Sequence, residues 1–125
     1  MQAVRKWIAK RKPFVYENSR LPVLLSKIAP IQVFAFSFGP WVFCREEMPE
    51  DTRRHETIHY HQQLEMLFIF QWLLYGYYWI AGKVTGLTGK DAYYYNPFER
   101  EAYENDADPS YIESRPLWAW RKYIT

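Results

Sequence analysis

All three histidines of the 125-residue chain lie in one seven-residue stretch, His55-Glu56-Thr57-Ile58-His59-Tyr60-His61. Its first five residues spell H-E-x-x-H, and that spacing belongs on a helix. Side chains four apart on an α-helix stand one turn above each other, so the imidazoles of His55 and His59 share a face and can close on one metal ion. Zinc suits such a pair, because it takes imidazole nitrogens at about 2.0–2.1 Å and keeps a position for water. Glu56, one residue further round, is set beside the metal rather than on it, where its carboxylate can take a proton from bound water. The competing reading makes HETIH the polar face of an amphipathic helix and nothing more.

A catalytic zinc site needs a third protein ligand. His61, six residues past His55 and two past His59, points to another helical face, and a surface or supporting hydrogen bond is its expected role. Asn96-Pro97 reads as a helix start, Asn capping and Pro in the first helical position, and Asp108-Pro109 ends that helix about three turns on. The helix offers Glu99 and Glu101, which lie about 200° apart around the axis, so only one can face the metal. Glu99 shares its face with Ala102, small enough for close helix approach, and Tyr103, whose hydroxyl can support the site. It is the expected third ligand; Glu101, on the face of Asn105 and placed nearer solvent, is the alternative. Glu99 also has a structural reading, since a Glu three positions past an Asn cap can reach back to it.

Around these helices the chain changes period several times. Residues 20–29 read as a short helix ended by Pro30. The β-branched and aromatic run 31–38, the turn Gly39-Pro40 and the run 41–44 read as a hairpin. The H-E-x-x-H helix should begin near Thr52, with Asp51 or Thr52 as cap, and continue toward Leu67. Residues 82–95, with glycines at 82, 86 and 89 and little periodicity, read as a loop, and 116–123 as a short aromatic closing segment. Gln63 is expected on the helix surface, Arg53 and Arg54 as solvated charges, and Cys44 as a buried small hydrophobe. Tyr93, Tyr94 and Tyr95 either line a cleft or pack the loop.

The longest apolar stretch, residues 66–81, reaches roughly 24 Å as a helix, short of the roughly 30 Å of a bilayer's hydrocarbon. A buried core helix is the first reading. A helix lying on a membrane surface is the second, favoured by Trp72, Tyr75, Tyr77, Tyr78 and Trp79 and by the cations Arg5, Lys6, Lys10, Arg11 and Lys12; a solvated, frayed end is the plain account of those cations. Sixteen basic against 14 acidic residues leave a net charge of +2, too small a field to indicate nucleic acid as a partner. The single cysteine permits no internal disulfide and fits a reducing compartment, so a cytoplasmic protein, with peripheral membrane contact as an option, is expected.

His55-Glu56-x-x-His59 followed by Glu99-x-x-Ala102 on a second helix resembles the gluzincin zinc metallopeptidases. The 99 minus 59, or 40, residues between the motifs suit that group. The resemblance covers about a fifth of the chain and is closest to minimal single-domain members and to CAAX-processing membrane peptidases with their E-x-x-A-D motif. It implies a zincin-like fold with a strand before the first helix whose edge faces a peptide or protein substrate, a role the hairpin would fill. It also implies zinc on His55, His59 and Glu99, Glu56 as base and then acid, and a Tyr, His or Arg donor for the oxyanion. Tyr95, Tyr103, His61 and Arg100 are the candidates, with Tyr103 carried forward as catalytic. One departure stands out: the family places Asp directly after the Ala to orient the first histidine, and this chain has Tyr103 there. The expected protein is thus a mostly helical α+β domain spanning residues 1–125, with a small antiparallel hairpin or sheet, acting as a zinc hydrolase. The alternative is a non-catalytic metal-containing, membrane-surface or partner-binding helical protein.

Overall fold

The computed structural model describes residues 2–29 and 33–124; Pro30, expected to end a helix, and the start of the expected hairpin strand at residues 31 and 32 lie outside these. The elements run in the order α1 (Gln2–Ala9), β1 (Phe14–Tyr16), α2 (Leu21–Ser26), β2 (Ala35–Phe38), β3 (Trp41–Cys44), α3 (Glu50–Glu65), α4 (Ile69–Val84), α5 (Gly89–Tyr95), α6 (Pro97–Asn105) and α7 (Tyr111–Ser114), closing with a 3-10 turn, Ala119–Tyr123. Helices dominate and the sheet is small, an α+β arrangement.

The hairpin forms as its residues indicate. β2 and β3 pair antiparallel, Phe36 against Phe43 and Ser37 against Val42, and Gly39 takes the positive φ (58°) that the tight turn requires. A third strand was not expected: β1 pairs parallel to β3, so the sheet is mixed, with order β1-β3-β2. Three residues are too few to display a period of two. β3 alternates cleanly, Val42 and Cys44 fully buried beside Met48 on one face, and Phe43 stacked between Tyr16 and Phe36 on the other. Cys44 is therefore the small core residue expected.

α3 begins at Glu50, two residues before Thr52, with Glu50 and Asp51 at its positive end. It is the central helix, packed by α1, β2, α4, α6 and α7, and its buried residues are mostly polar: His55, Glu56, His59, His61, Gln62 and Gln63. Such a helix is stable only if distant groups satisfy those side chains. Gln63 accepts from Gly39 N–H (2.8 Å) and donates to Ser37 Oγ (3.0 Å), clamping the hairpin to α3 rather than lying on the surface as expected. His61, also buried rather than superficial, donates from Nε2 to the Arg11 carbonyl (2.8 Å). Glu101, expected near solvent, is wholly buried and bound by Arg115, which also takes Glu65 in a two-pronged pair.

α3 stops at Met66, and Leu67 and Phe68 turn the chain with positive φ (55° and 62°), the Phe68 N–H closing on the Gln63 carbonyl. α4 then leaves at a new angle. Of its residues only Gln71 is buried, while Ile69, Phe70, Leu73, Tyr77, Ile80 and Val84 are exposed. The expected core helix is therefore half covered at best. The expected loop 82–95 is also corrected: α4 runs on to Val84, and α5 follows, capped by Thr88 accepting from Asp91 N–H (3.1 Å). Gly82 is the point of closest approach, where an added Cβ would come to 3.1 Å of Ala92 Cβ. The basic N-terminus forms α1 rather than a frayed end and packs against α3 and α7.

Candidate metal centre

One turn of α3 sets His55 and His59 side by side, ring centroids 4.9 Å apart and planes at 76°. α6 brings Glu99 to them. Asn96 determines where that helix starts: its Oδ1 accepts from Phe98 N–H (3.1 Å), and its Nδ2 donates to the Tyr75 carbonyl on α4 (3.0 Å). From this start Glu99 Oε1 reaches His55 Nε2 at 3.3 Å and His59 Nε2 at 3.0 Å. The three side chains are buried, and one ligand atom from each lies within 4.8 Å of the others, so the group could hold a metal ion. Between Glu99 and Glu101, the structure turns Glu99 to the histidines and commits Glu101 to Arg115.

Every atom of the trio that faces away from its centre is held. His55 Nδ1 donates to Asp106 Oδ2 (3.0 Å), His59 Nδ1 donates to Gln62 Oε1 (2.9 Å), and Tyr75 Oη donates to Glu99 Oε2 (2.7 Å). A carboxylate and an amide oxygen only accept, so both histidines carry a proton on Nδ1 and turn Nε2 toward Glu99. Gln62 is anchored in turn by donating from Nε2 to the Phe98 carbonyl and Glu101, both at 3.0 Å. Arg54, expected to be solvated, donates to the Asp106 carbonyl. These partners fix ring orientation, as supporting hydrogen bonds do in metal sites.

The electrostatics follow from burying charges together. Burial alone would lower His55, but the carboxylates of Asp106, Glu99 and Glu56 outweigh it and raise it to about 10. His59 rises likewise, burial being overcome by Glu99. Glu99 itself, which burial would raise, is held far below the carboxylate range by the two imidazoles. Glu56 goes the other way, pushed up by burial more than the histidines pull it down. It is the one carboxylate of the group with an orphaned oxygen: Oε2 is buried and has no hydrogen-bond partner among the described residues.

Glu56, His59 and Glu99 open onto a cavity of about 530 Å³ walled by α2, the edge strand β2, α4 and Tyr93. Of the proposed oxyanion donors, Tyr103 packs its ring on His55 (centroids 4.3 Å) and sets its hydroxyl 3.3 Å from that of Tyr93. The others are engaged elsewhere, His61 on the Arg11 carbonyl, Arg100 on the Tyr123 carbonyl and over the Tyr95 ring. Tyr93 takes the cleft-lining role that was one of its two expected readings; Asp106, Gln62 and Tyr75 were not singled out as site residues. Gln62 carried a usable signal, three residues past His59 and hence beside it on the helix. Asp106 stands one turn beyond Ala102, so the missing Asp after that alanine is replaced from later on the same helix end. Tyr75 had no local signal. Comparison of the chain with protein-family models, with curated proteins and with solved structures gives no match.

Proposed function

We propose that the protein is a zinc-dependent hydrolase of the gluzincin type, acting on peptide bonds. The observation that carries this reading is the Glu56 carboxylate, buried with an unpartnered oxygen beside the His55, His59 and Glu99 trio and facing the same cavity. A buried, unsatisfied carboxylate costs stability and persists where function uses it. Two imidazoles and a carboxylate with a free approach from a cavity form the donor set of catalytic zinc, and the supported Nδ1 atoms suit it. When bound there, zinc supplies the positive charge that acidifies water and polarises a carbonyl.

The chain's own groups then divide the work. His55, His59 and Glu99 hold the ion; Asp106, Gln62 and Tyr75 keep them aimed. Glu56, whose proton affinity is raised by burial, accepts a proton from the attacking water as its oxygen bonds to the carbonyl carbon. The same proton passes to the leaving nitrogen as the C–N bond breaks. The Tyr103 and Tyr93 hydroxyls, 3.3 Å apart with the Tyr103 ring packed on His55, are the neutral donors assigned to the oxygen that gains charge. β2, an edge strand on the cavity wall, offers unpaired backbone groups to an extended peptide.

Glu56→Gln tests the reading. The amide keeps the shape and leaves the three ligands intact, so zinc content should stay unchanged while hydrolysis of a fluorogenic peptide mixture falls by about 10²–10⁴-fold. Equal turnover in Glu56→Gln and the unaltered protein would refute the assigned role.

A further inference from the structure

Among the described residues an apolar surface is left uncovered on the helices that wall the cavity. On α4, Ile69, Phe70, Leu73, Tyr77, Ile80 and Val84 are all more than half exposed. At about 100° per residue they fall within an arc of about 100°, and no polar residue interrupts it. On the other wall of the cavity Leu21 and Leu24 of α2 and Ile28 just past it are also exposed, Ile28 to 84%, while Leu25 and Ala29 line the cavity. Leu67, at the positive-φ turn into α4, is 71% exposed. Scattered exposed hydrophobes are ordinary; a continuous strip along a 16-residue helix is not.

We propose that this face of α4 docks on the surface of an anionic lipid bilayer, with the helix lying in the interfacial plane. Three observations select lipid over other occupants. No helix among the described residues is long and apolar enough to cross a membrane, so α4 can lie on one but cannot span it. Trp72, 40% exposed, and Tyr77 are aromatics of the kind that settle at headgroup depth. The charge on these helices is of one sign: Arg20, Lys27 and Lys83 are exposed, and neither α2 nor α4 contains an Asp or Glu. An anionic headgroup layer satisfies the apolar strip and the cations together.

The assay is co-sedimentation of the full chain with vesicles of phosphatidylcholine and phosphatidylglycerol, beside vesicles of phosphatidylcholine alone. It contains no substrate, so its outcome is separate from that of the hydrolase reading. The expected result is binding to the anionic vesicles that weakens with added salt and is feebler on the neutral ones. Leu73→Glu or Ile80→Glu should each reduce it about tenfold or more, and Lys83→Glu by about fivefold or more. These side chains are exposed, so circular dichroism should be unchanged; Leu73→Ser and Ile80→Ser give the same comparison if the charged variants do not fold. Absence of vesicle binding, or binding indifferent to all these substitutions, would overturn the proposal. So would a soluble dimer, seen by sedimentation equilibrium, that Leu73→Glu dissociates in the absence of any lipid affinity.

Discussion

Removing the Asp106 carboxylate separates a site prepared for a metal from a merely polar cluster. Its Oδ2 accepts from His55 Nδ1 at 3.0 Å, and the side chain is 21% exposed. Supporting partners of ligand histidines are worth roughly 10–100-fold in metal affinity, about 1.4–2.8 kcal/mol. Partial exposure screens the Asp106 charge, which puts Asp106→Ala near the middle of that range, about thirtyfold or 2 kcal/mol. Asp106→Asn keeps an acceptor and loses only the charge, so about tenfold is expected. Asp108, two residues on, is exposed and bonds Ser110, so Asp108→Asn controls for charge in the neighbourhood and should leave affinity unchanged. Zinc affinity is measured by competition with a chromophoric chelator, with circular dichroism to show that the fold is kept. If Asp106→Ala stays folded and binds zinc within twofold of the unaltered protein, the hydrogen bond has no part in preparing His55 and the argument fails.

Arg115 is a structural counterpart to that test. It neutralises two buried carboxylates, Glu65 and Glu101; Arg115→Ala leaves both without a cation and should cost about 3–5 kcal/mol in urea unfolding, well above a surface substitution. His61 predicts a pH dependence. Burial depresses it from 6.5 to about 4, so the unfolded chain binds the proton first as pH falls. Its contribution is complete above about 6.5 and is lost as pH drops toward 4, amounting to about 3 kcal/mol. Between pH 7 and pH 4 the unaltered protein should therefore lose about that much more stability than His61→Gln, measured by denaturant melts at each pH; equal losses would contradict the assignment.

What the sequence made legible was local. His55 and His59 one turn apart, Glu99 on a helix begun by Asn96-Pro97, and the Gly39-Pro40 hairpin all depend on spacings of a few residues, and the structure places each where that spacing indicates. What it hid was the destination of polar side chains. Gln63, His61 and Glu101 read as surface residues because their partners, Gly39, Arg11 and Arg115, lie 24, 50 and 14 residues away. α4 erred in the opposite sense: an apolar run signals that surface wants covering, not that this chain covers it. α5 was masked by its glycine start and by a cap, Thr88, with no apolar periodicity behind it. The parallel strand β1 had only three residues and a partner 27 positions on, Phe14 against Trp41.

The most direct test of the account is metal content by elemental analysis of the purified protein after exposure to zinc, run beside His59→Ala and Glu99→Ala. The account predicts about one zinc per chain in the unaltered protein and loss of most of it in both variants. Absence of bound metal in the unaltered protein, or full occupancy in Glu99→Ala, would contradict it.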